Sequence, residues 1–343
     1  MPMTTLGLST LFNAQLALHS FDGLYTIGLI LYFIGLVQFV FVLLAKATKF
    51  VVVQNSFTSS FNAPEEALFS AALWISCYGA ITAGMDFASP APDSRLSLVF
   101  LGFFWIYLVC VLVASTTNYL LLFHKGSMED RNMTPAWLLP ILPVILVGVM
   151  AGSLADKVNA SSAYAVVIAG LLCSSAGFLL SISINALYLH RLFIVGLPVP
   201  DIRPAMMIAV GPPTYAPLAF LKMAATLPAH YGFVAQDPVR YEMVQAMAFV
   251  LGLAIWGLGV VFLLMAICSI LRRANTMSFH LTWYGLIFPN VGLLSSLGLI
   301  GTMIPSEGVI WVASVGTILL TVAWLFVTTG HIRAIVIGSP YLW

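Results

Sequence analysis

The side chains that could do chemistry here are the few ionisable groups inside or beside long apolar stretches. Lys222 lies within one such stretch and Arg203 directly precedes it, whereas Glu66 and His280 stand at the beginnings of two others. Ionisable groups at such positions are functional candidates because an uncompensated charge inside a membrane is costly. Cations attract anions, so we treat Arg203, Lys222 and His280 as candidate contacts for a substrate or another anion. Glu66 is a further candidate contact, with a gating or proton-linked role.

Each of these residues also has a structural explanation, and the sequence leaves the choice open. If Arg203 marks the beginning of its helix, Lys222 lies about 28 Å further along, nearly the thickness of a bilayer core. Lys222 is then either a lysine that extends to the membrane surface or an anion attractor at the outer mouth. Arg203 would anchor the inner membrane edge, and Glu66 would complement the dipole of a helix N-terminus.

Catalytic and metal-binding motifs do not occur in this sequence. The six histidines are scattered, and there is no His-Glu-x-x-His, Gly-x-Ser-x-Gly or phosphate-binding loop. The four cysteines lack the close spacing of a metal site. We therefore predict that the chain is not an enzyme and binds no metal or cofactor. The net charge of +1 also gives no basic surface for nucleic acid.

The elements that must position the candidate residues are membrane-spanning helices. The chain is 61% hydrophobic and 7% charged, whereas soluble domains carry about 25% charged residues. Runs of the length that crosses a bilayer, about 20 residues, give ten candidate spans: 3–19, 22–45, 65–85, 97–122, 135–154, 162–189, 204–226, 243–270, 280–302 and 308–330. We predict an all-α protein with a single transmembrane domain over residues 1–343. The first span is short and rich in Ser and Thr, so it is either an interfacial segment or a helix that lacks its beginning.

The distribution of basic residues predicts how the chain lies in the bilayer. Cytoplasmic loops carry an excess of Lys and Arg. Of the 13 basic residues, nine follow even-numbered spans: Lys46, Lys49, Lys125, Arg131, Arg191, Arg203, Arg272, Arg273 and Arg333. The loops after odd-numbered spans hold Arg95, Lys157 and Arg240 together with most of the acidic residues. This bias places both termini in the cytoplasm, and it puts the sequon at Asn159 outside.

Proline divides the ten spans into two classes. Six prolines lie inside odd-numbered spans and none inside even-numbered ones: Pro140, Pro143, Pro212, Pro213, Pro217 and Pro289. A proline removes a backbone hydrogen bond, and a bilayer tolerates this only where protein or a wet cavity satisfies the freed carbonyl. The spans also read as five helical hairpins of similar length. We therefore expect the kinked odd helices to surround a central path and the straight even helices to face lipid.

Several blocks of this sequence resemble the tellurite-resistance/dicarboxylate transporter family. They are Phe21 to Gly28, Pro64 to Phe69, Thr134 to Pro140 with Pro143 to Gly148, Arg203 to Pro213, and Phe279 to Tyr284 with Phe288-Pro289-Asn290. The family includes bacterial tellurite-resistance channels, plant slow anion channels and fungal sulfite pumps. Glu66 and the Leu-Pro-Ile-Leu-Pro run at 139–143 make the chain most similar to the fungal malate permease branch.

The resemblance implies a ten-helix barrel of five hairpins with the odd helices lining a central pore. It also implies transport of a small organic anion, above all a C4-dicarboxylate such as malate, in the plasma membrane and as a homotrimer. In the channel relatives a phenylalanine before the proline of the ninth helix blocks the pore, and Phe288 matches it here. Two departures stand out: Ala63 replaces a histidine, and the first helix matches only the later part of its counterpart, so we expect it to be truncated. A sulfite or inorganic anion channel and a degenerate, non-transporting homologue remain alternatives.

Overall fold

The chain is all-helical wherever its structure is described. The computed structural model describes residues 1–52, 68–125 and 133–337, and these ranges contain ten α-helices and no strand. The helices are α1 Pro2–Leu16, α2 Leu24–Val52, α3 Ala71–Ala88, α4 Arg95–Lys125, α5 Leu142–Leu154, α6 Ala160–Val195, α7 Pro212–Thr226, α8 Pro238–Leu271, α9 Phe288–Met303 and α10 Glu307–Val336. Within these ranges, six helical segments are long and apolar enough to cross a membrane: the even-numbered helices and Leu281–Met303. The predicted all-α membrane architecture is confirmed.

The ten described helices form an inner and an outer ring. Each odd-numbered helix packs on the next one, from α1 to α9, and the inner ring closes because α9 packs on α1. Each even-numbered helix lies outside and covers the odd helix before it and the odd helix that comes next around the ring. This is the predicted barrel of five hairpins with the odd helices inside.

Burial distinguishes the two rings clearly. All 13 residues of α5 are buried, whereas only 4 of 29 residues are buried in α2. Large apolar side chains such as Phe41, Leu172 and Ile318 are exposed on the outer ring. Helices whose surface is apolar all round are either core helices or membrane spans, so these exposed faces are the surface that the bilayer covers.

The prolines lie where inner spans change from a 3-10 helix to an α-helix. The 3-10 segments Pro135–Leu138, Pro200–Val210 and Leu281–Leu286 precede α5, α7 and α9. Prolines occupy the first or second position of each of these three α-helices: Pro143, Pro212, Pro213 and Pro289. A carbonyl that proline deprives of its usual partner can accept from a nearer amide, as Ile208 O does from Gly211 N at 3.0 Å. Pro140 lies in the turn before α5, and Pro217 lies within α7.

Two outer helices, α6 and α8, begin at polar caps. Asn159 Oδ1 accepts a hydrogen bond from Ser162 N at 3.0 Å and begins α6. Asp237 Oδ1 accepts from Val239 N at 2.9 Å and begins α8, with Pro238 at its first position. Both side chains satisfy amides that a helix N-terminus leaves unpaired, so the sequence alone indicates where these long helices start.

Glycines let α5 approach its neighbours closely. A Cβ atom at Gly152 would lie 2.5 Å from Lys222 Cβ on α7, and one at Gly148 would lie 2.0 Å from Ser174 Oγ on α6. Gly148 and Gly152 are four residues apart, which is the spacing that brings membrane helices into contact. No larger side chain fits at either position without a shift of the backbone.

The first helix is an inner helix and not an interfacial segment. Ten of the 15 residues of α1 are buried. Its polar side chains bond to the outer ring: Thr5 Oγ1 donates to Gln38 Oε1 at 2.8 Å, and Gln15 Nε2 donates to Thr317 Oγ1 at 3.0 Å. The Ser and Thr content that made this span look weak therefore reflects contacts with α2 and α10.

Candidate functional site

Phe288 lies at the meeting point of three inner helices. It is the first residue of α9, and its side chain is 2% exposed. Its ring stacks on Tyr215 of α7 with the centroids 4.9 Å apart. From the opposite side, α1 comes so close that a Cβ atom at Gly7 would be 3.1 Å from Phe288 Cδ2. The phenylalanine therefore fills space between α1, α7 and α9.

The beginning of α7 holds the backbone beside Phe288. Tyr215 OH donates to Phe288 O at 2.8 Å, and Thr214 Oγ1 lies 3.3 Å from Pro289 O. This contact needs Gly292, because a Cβ atom there would lie 2.8 Å from the Tyr215 ring. The two proline-marked helix starts are thus bonded to each other at the same level of the barrel.

We call the stacked rings of Phe288 and Tyr215 the aromatic layer. Tyr215 is 1% exposed, so both rings are buried among the inner helices. Tyr78 of α3 is a third buried aromatic side chain of the inner ring. The aromatic layer fills the space where α1, α7 and α9 meet.

Lys222 belongs to a polar cluster nearer one end of the inner ring. We call the end of the barrel where the odd helices finish the acidic end. The opposite end carries the basic loops, and we call it the basic end. Lys222 Nζ donates to Ser153 Oγ of α5 at 2.8 Å, and Asp86 of α3 is near enough for the charges of Lys222 and Lys157 to act on it. The ammonium thus turns toward α5, next to the end of that helix at Leu154. The helix α3 continues through Asp86 to Ala88, three residues beyond the predicted end of its span.

The cluster and the aromatic layer lie at different depths. Lys222 is seven residues beyond Tyr215 on α7, which is about 10 Å along an α-helix. Directly after α5, Lys157 Nζ lies 2.9 Å from Asp156 Oδ1, and the two side chains are 13% and 55% exposed. An anion that entered from the acidic end would therefore meet the charged cluster before the aromatic layer.

At the basic end, Arg203 and His280 hold the backbone in place. The Arg203 guanidinium donates to Pro198 O at 3.0 Å and to Ser269 O at 2.8 Å. Ser269 lies in the last turn of α8, where carbonyls lack helical partners and a cation is favourable. His280 Nδ1 accepts from Thr282 N at 3.3 Å and caps the 3-10 segment before α9. Neither side chain lies with Phe288 or Lys222, and their predicted contact with an anion stays a prediction.

Glu66 lies outside the described residues, so its predicted role has no structural counterpart here. Ala63 and Pro64 fall in the same interval. Within the described ranges, no group of three or more His, Cys, Asp or Glu side chains is placed to hold a metal ion.

Sequence reasoning missed three residues that the structure brings into the site. Tyr215 was not selected from the sequence, although it lies two residues after the Pro212-Pro213 pair. Ser153 carries no charge and lies in an apolar run, so nothing in the composition marks it as a site residue. Asp86 was assigned to a loop because the hydrophobic run ends just before it. The helix continues for three residues beyond the predicted span, to Ala88, and so includes Asp86.

Comparison with known proteins finds relatives along nearly the whole chain. A family model described as SLAC1, voltage-dependent anion channel, matches residues 1–332. Two Schizosaccharomyces pombe proteins are similar. One, named a putative malic acid transport protein, is 26% identical over 318 residues, 92% of this chain and 74% of the relative. The other, named a malic acid transport protein, is 27% identical over 322 residues, 93% and 74% of the two chains. A sulfite efflux pump from Arthroderma benhamiae is 22% identical over 277 residues, 79% and 72%.

Proposed function

Because the chain belongs to the SLAC1 voltage-dependent anion channel family, we propose that it carries small organic anions across a lipid bilayer, with malate as the first substrate to test. Two relatives that are named for malic acid transport and cover 92% and 93% of the chain support this choice. A transport role, and not an enzymatic one, also accounts for the aromatic layer and charged cluster inside a ring of helices.

The observation that carries the proposal is the aromatic layer inside the closed inner ring. An open channel through the barrel would pass ions freely, and a solid core would need no break in its helices. Here Phe288 fills the space between α1, α7 and α9. It is attached at the joint between a 3-10 segment and α9, where small changes in backbone angles can move its ring. Phe288 is therefore the residue that we assign as the gate of the path.

Uptake of radiolabelled malate and succinate into vesicles that contain the purified protein tests the proposal. We expect uptake above that of protein-free vesicles, with unlabelled malate as a competitor. The amount of folded protein in each preparation is measured by size-exclusion chromatography. A folded protein that gives no malate or succinate uptake would leave the non-transporting homologue as the better description.

Sulfite or another inorganic anion is the second candidate substrate. The similarity to a sulfite efflux pump supports it, over a smaller part of the chain than the malic acid relatives. Currents recorded under gradients of chloride, nitrate, sulfite and malate separate the two candidates. A current that sulfite or nitrate carries and malate does not would transfer the assignment to the inorganic anions.

The proposal includes a setting for the protein. We place it in the plasma membrane as one transmembrane domain, with both termini in the cytoplasm, and assign a homotrimer from the family resemblance.

Two exposed alanines at opposite ends, Ala160 and Ala274, give a matched test in a cysteine-free background. Ala160→Cys should react with an impermeant thiol reagent added outside the cell, and Ala274→Cys should react only after permeabilisation. The reverse pattern would invert the topology.

A further inference from the structure

An apolar groove lies between two outer helices, in the half of the barrel nearer the acidic end. Its walls come from α6 and α8, and its floor is α7, on which both outer helices pack. Its volume is about 340 Å³, within the range of small-molecule sites, about 300–1,000 Å³. The described side chains that line it are apolar except for Ser175 and the hydroxyl of Tyr164. The groove therefore suits hydrocarbon and not a polar solute.

The length of the groove matches one leaflet of a membrane. On α6 it runs from Tyr164 to Ser175, which is about 16 Å along an α-helix. On α8 it runs from Val244 to Leu251, within the first half of that helix. Half of a bilayer core is about 15 Å thick. The groove is therefore as long as the acyl chain of a lipid in the leaflet at the acidic end.

The groove opens to the lipid-facing surface of the outer ring. Ile168 and Leu171 on α6 and Met247 and Leu251 on α8 line it, and all four are exposed. These faces belong to the surface that the bilayer covers, so a lipid reaches the groove without crossing the protein. An unfilled space between helices deprives the lining atoms of van der Waals contacts, and an acyl chain restores them.

A short segment closes the groove at the acidic end. The 3-10 segment Gly232–Gln236 precedes α8, and its Phe233 and Val234 line the groove. Phe233 N donates to Tyr164 OH of α6 at 3.3 Å. Gly232 permits this approach, because its φ is +69° and a Cβ atom there would lie 2.4 Å from the Tyr164 ring. The segment marks where the space for hydrocarbon ends and the space for a head group begins.

A cation lies at this closed end. The Arg240 guanidinium lies over the Phe233 ring, 4.6 Å from its centroid. Arg240 also donates to Phe233 O at 3.3 Å and to Gln236 Oε1, and these bonds hold it there. The Asp237 carboxylate accepts from Val239 N and caps α8. Because the Phe233 ring lines the groove, the positive charge lies one aromatic side chain away from the space for hydrocarbon.

We propose that this groove binds a phospholipid, with one acyl chain between α6 and α8 and the phosphate against Arg240. The acyl chain matches the apolar walls and the length of the groove. The phosphate matches the guanidinium, whose planar fork of N–H donors binds phosphate oxygens. The site is separate from the aromatic layer and does not depend on which anion the protein carries. Its floor is α7, so a bound lipid packs against the helix that carries Tyr215 and Lys222.

Native mass spectrometry of the delipidated protein in detergent tests the phosphate contact. Phosphatidylglycerol should bind tightly as one lipid per chain. Diacylglycerol has the same acyl chains without a phosphate, and it should bind about 5-fold more weakly, the factor that one basic residue near a membrane surface gives. Arg240→Gln should weaken phosphatidylglycerol binding by that factor and leave diacylglycerol binding unchanged. Arg95→Gln, at an exposed arginine that begins α4 at the same end, is the control and should change neither.

A groove-filling variant tests the acyl-chain contact. Ala248→Phe places a ring in the groove, so we expect both lipids to bind about 10-fold more weakly or worse, as for overpacking. Ala254→Phe, at an exposed alanine further along α8, adds the same ring outside the groove and should bind both lipids as the parent does. Thermal unfolding shows whether each variant is folded. If Ala248→Phe does not fold, the comparison of the two lipids in Arg240→Gln decides alone.

The outcomes also identify any other occupant of the groove. If Arg240→Gln weakens both lipids equally, or neither, the phosphate contact is wrong. If cholesterol displaces the bound phosphatidylglycerol at equal concentration, the groove is a sterol site. If Ala248→Phe separates associated copies of the chain and leaves lipid binding unchanged, a second copy covers the groove. Each of these results overturns the phospholipid site, and none of them bears on whether the chain transports malate.

Discussion

The inner and outer rings are both apolar, but the inner ring tolerates much smaller changes in side-chain volume than the outer ring. Every residue of α5 is buried, whereas 5 of 34 residues are buried in α8. The outer helices run for 29 to 36 residues without a break, and the inner α-helices for 13 to 18. A lipid-facing helix has to be long and apolar, because fluid acyl chains accommodate almost any apolar shape. An inner helix must instead fit fixed neighbours on several sides.

The largest difference between the rings is expected when one buried phenylalanine in each ring is changed to alanine. Phe288 of α9 and Phe262 of α8 are both buried, at 2% and 4% exposure. Phe288→Ala should leave a folded protein with several-fold higher anion flux, because it opens the aromatic layer. Phe262→Ala should cost about 3–5 kcal/mol of stability, as for other buried phenylalanines, without raising flux per folded molecule.

The readout for this pair is surface abundance and anion conductance measured on the same cells. Phe41→Ala, at an exposed position of α2, should match the parent in both measurements. If Phe288→Ala is abundant and no more conductive than the parent, Phe288 is not the gate. If it is as scarce as Phe262→Ala, it is an ordinary core residue.

A glycine pair tests packing directly. A Cβ atom at Gly152 of α5 would lie 2.5 Å from Lys222 Cβ, whereas one at Gly257 of α8 would meet nothing within 4 Å. Gly152→Ala should destabilise the protein by about 1–3 kcal/mol through overpacking. Gly257→Ala should be neutral or stabilise by up to about 1 kcal/mol through helix propensity. Thermal unfolding in detergent measures both, and equal midpoints would remove the proposed contrast between the rings.

A tyrosine pair asks whether a hydrogen bond at the aromatic layer controls flux. Tyr215 OH donates to Phe288 O at 2.8 Å, and Tyr119 OH on α4 donates to Trp137 O at 2.9 Å. Each Tyr→Phe change should cost about 1 kcal/mol. Only Tyr215→Phe should also raise basal flux, because its bond holds the backbone of the gate. A rise of the same size in Tyr119→Phe would show that flux follows general stability.

The smallest effect is expected at the end of an outer helix. Glu307 begins α10, and its carboxylate lies 3.8 Å from His19 Nε2, but its side chain is 82% exposed. Water screens such pairs, so Glu307→Gln should change stability by no more than about 0.5 kcal/mol. A clear loss of stability in unfolding experiments would mean that the outer ring also depends on specific contacts.

Much of the architecture could be predicted because bilayers impose simple rules on sequence. Apolar length fixed the number of spans, and their alternation with polar loops fixed the five hairpins. The six prolines in odd spans indicated which helices lie inside, since a bilayer tolerates freed carbonyls only within protein. The caps at Asn159 and Asp237 are also readable from sequence, because they depend on residues within three positions.

The details of the site were harder to predict because they depend on residues far apart in the chain. The partner of Phe288 is Tyr215, 73 residues earlier, and no local pattern connects the two. Arg203 and His280 looked free to bind anions in the sequence, but the structure gives each a backbone partner. Sequence position therefore identified the helices that carry the site better than the side chains that form it.

Composition and periodicity by themselves determined that this chain is an all-α membrane protein with its odd helices inside. Tertiary structure decided which polar groups meet: that Lys222 bonds to Ser153 of α5, and that α1 is a buried helix bonded to α2 and α10. The physical reason is that the two effects depend on residues at different separations along the chain. Transfer into a bilayer acts on each segment separately, whereas a hydrogen bond between helices exists only after the ring has closed and brought distant residues within about 3 Å.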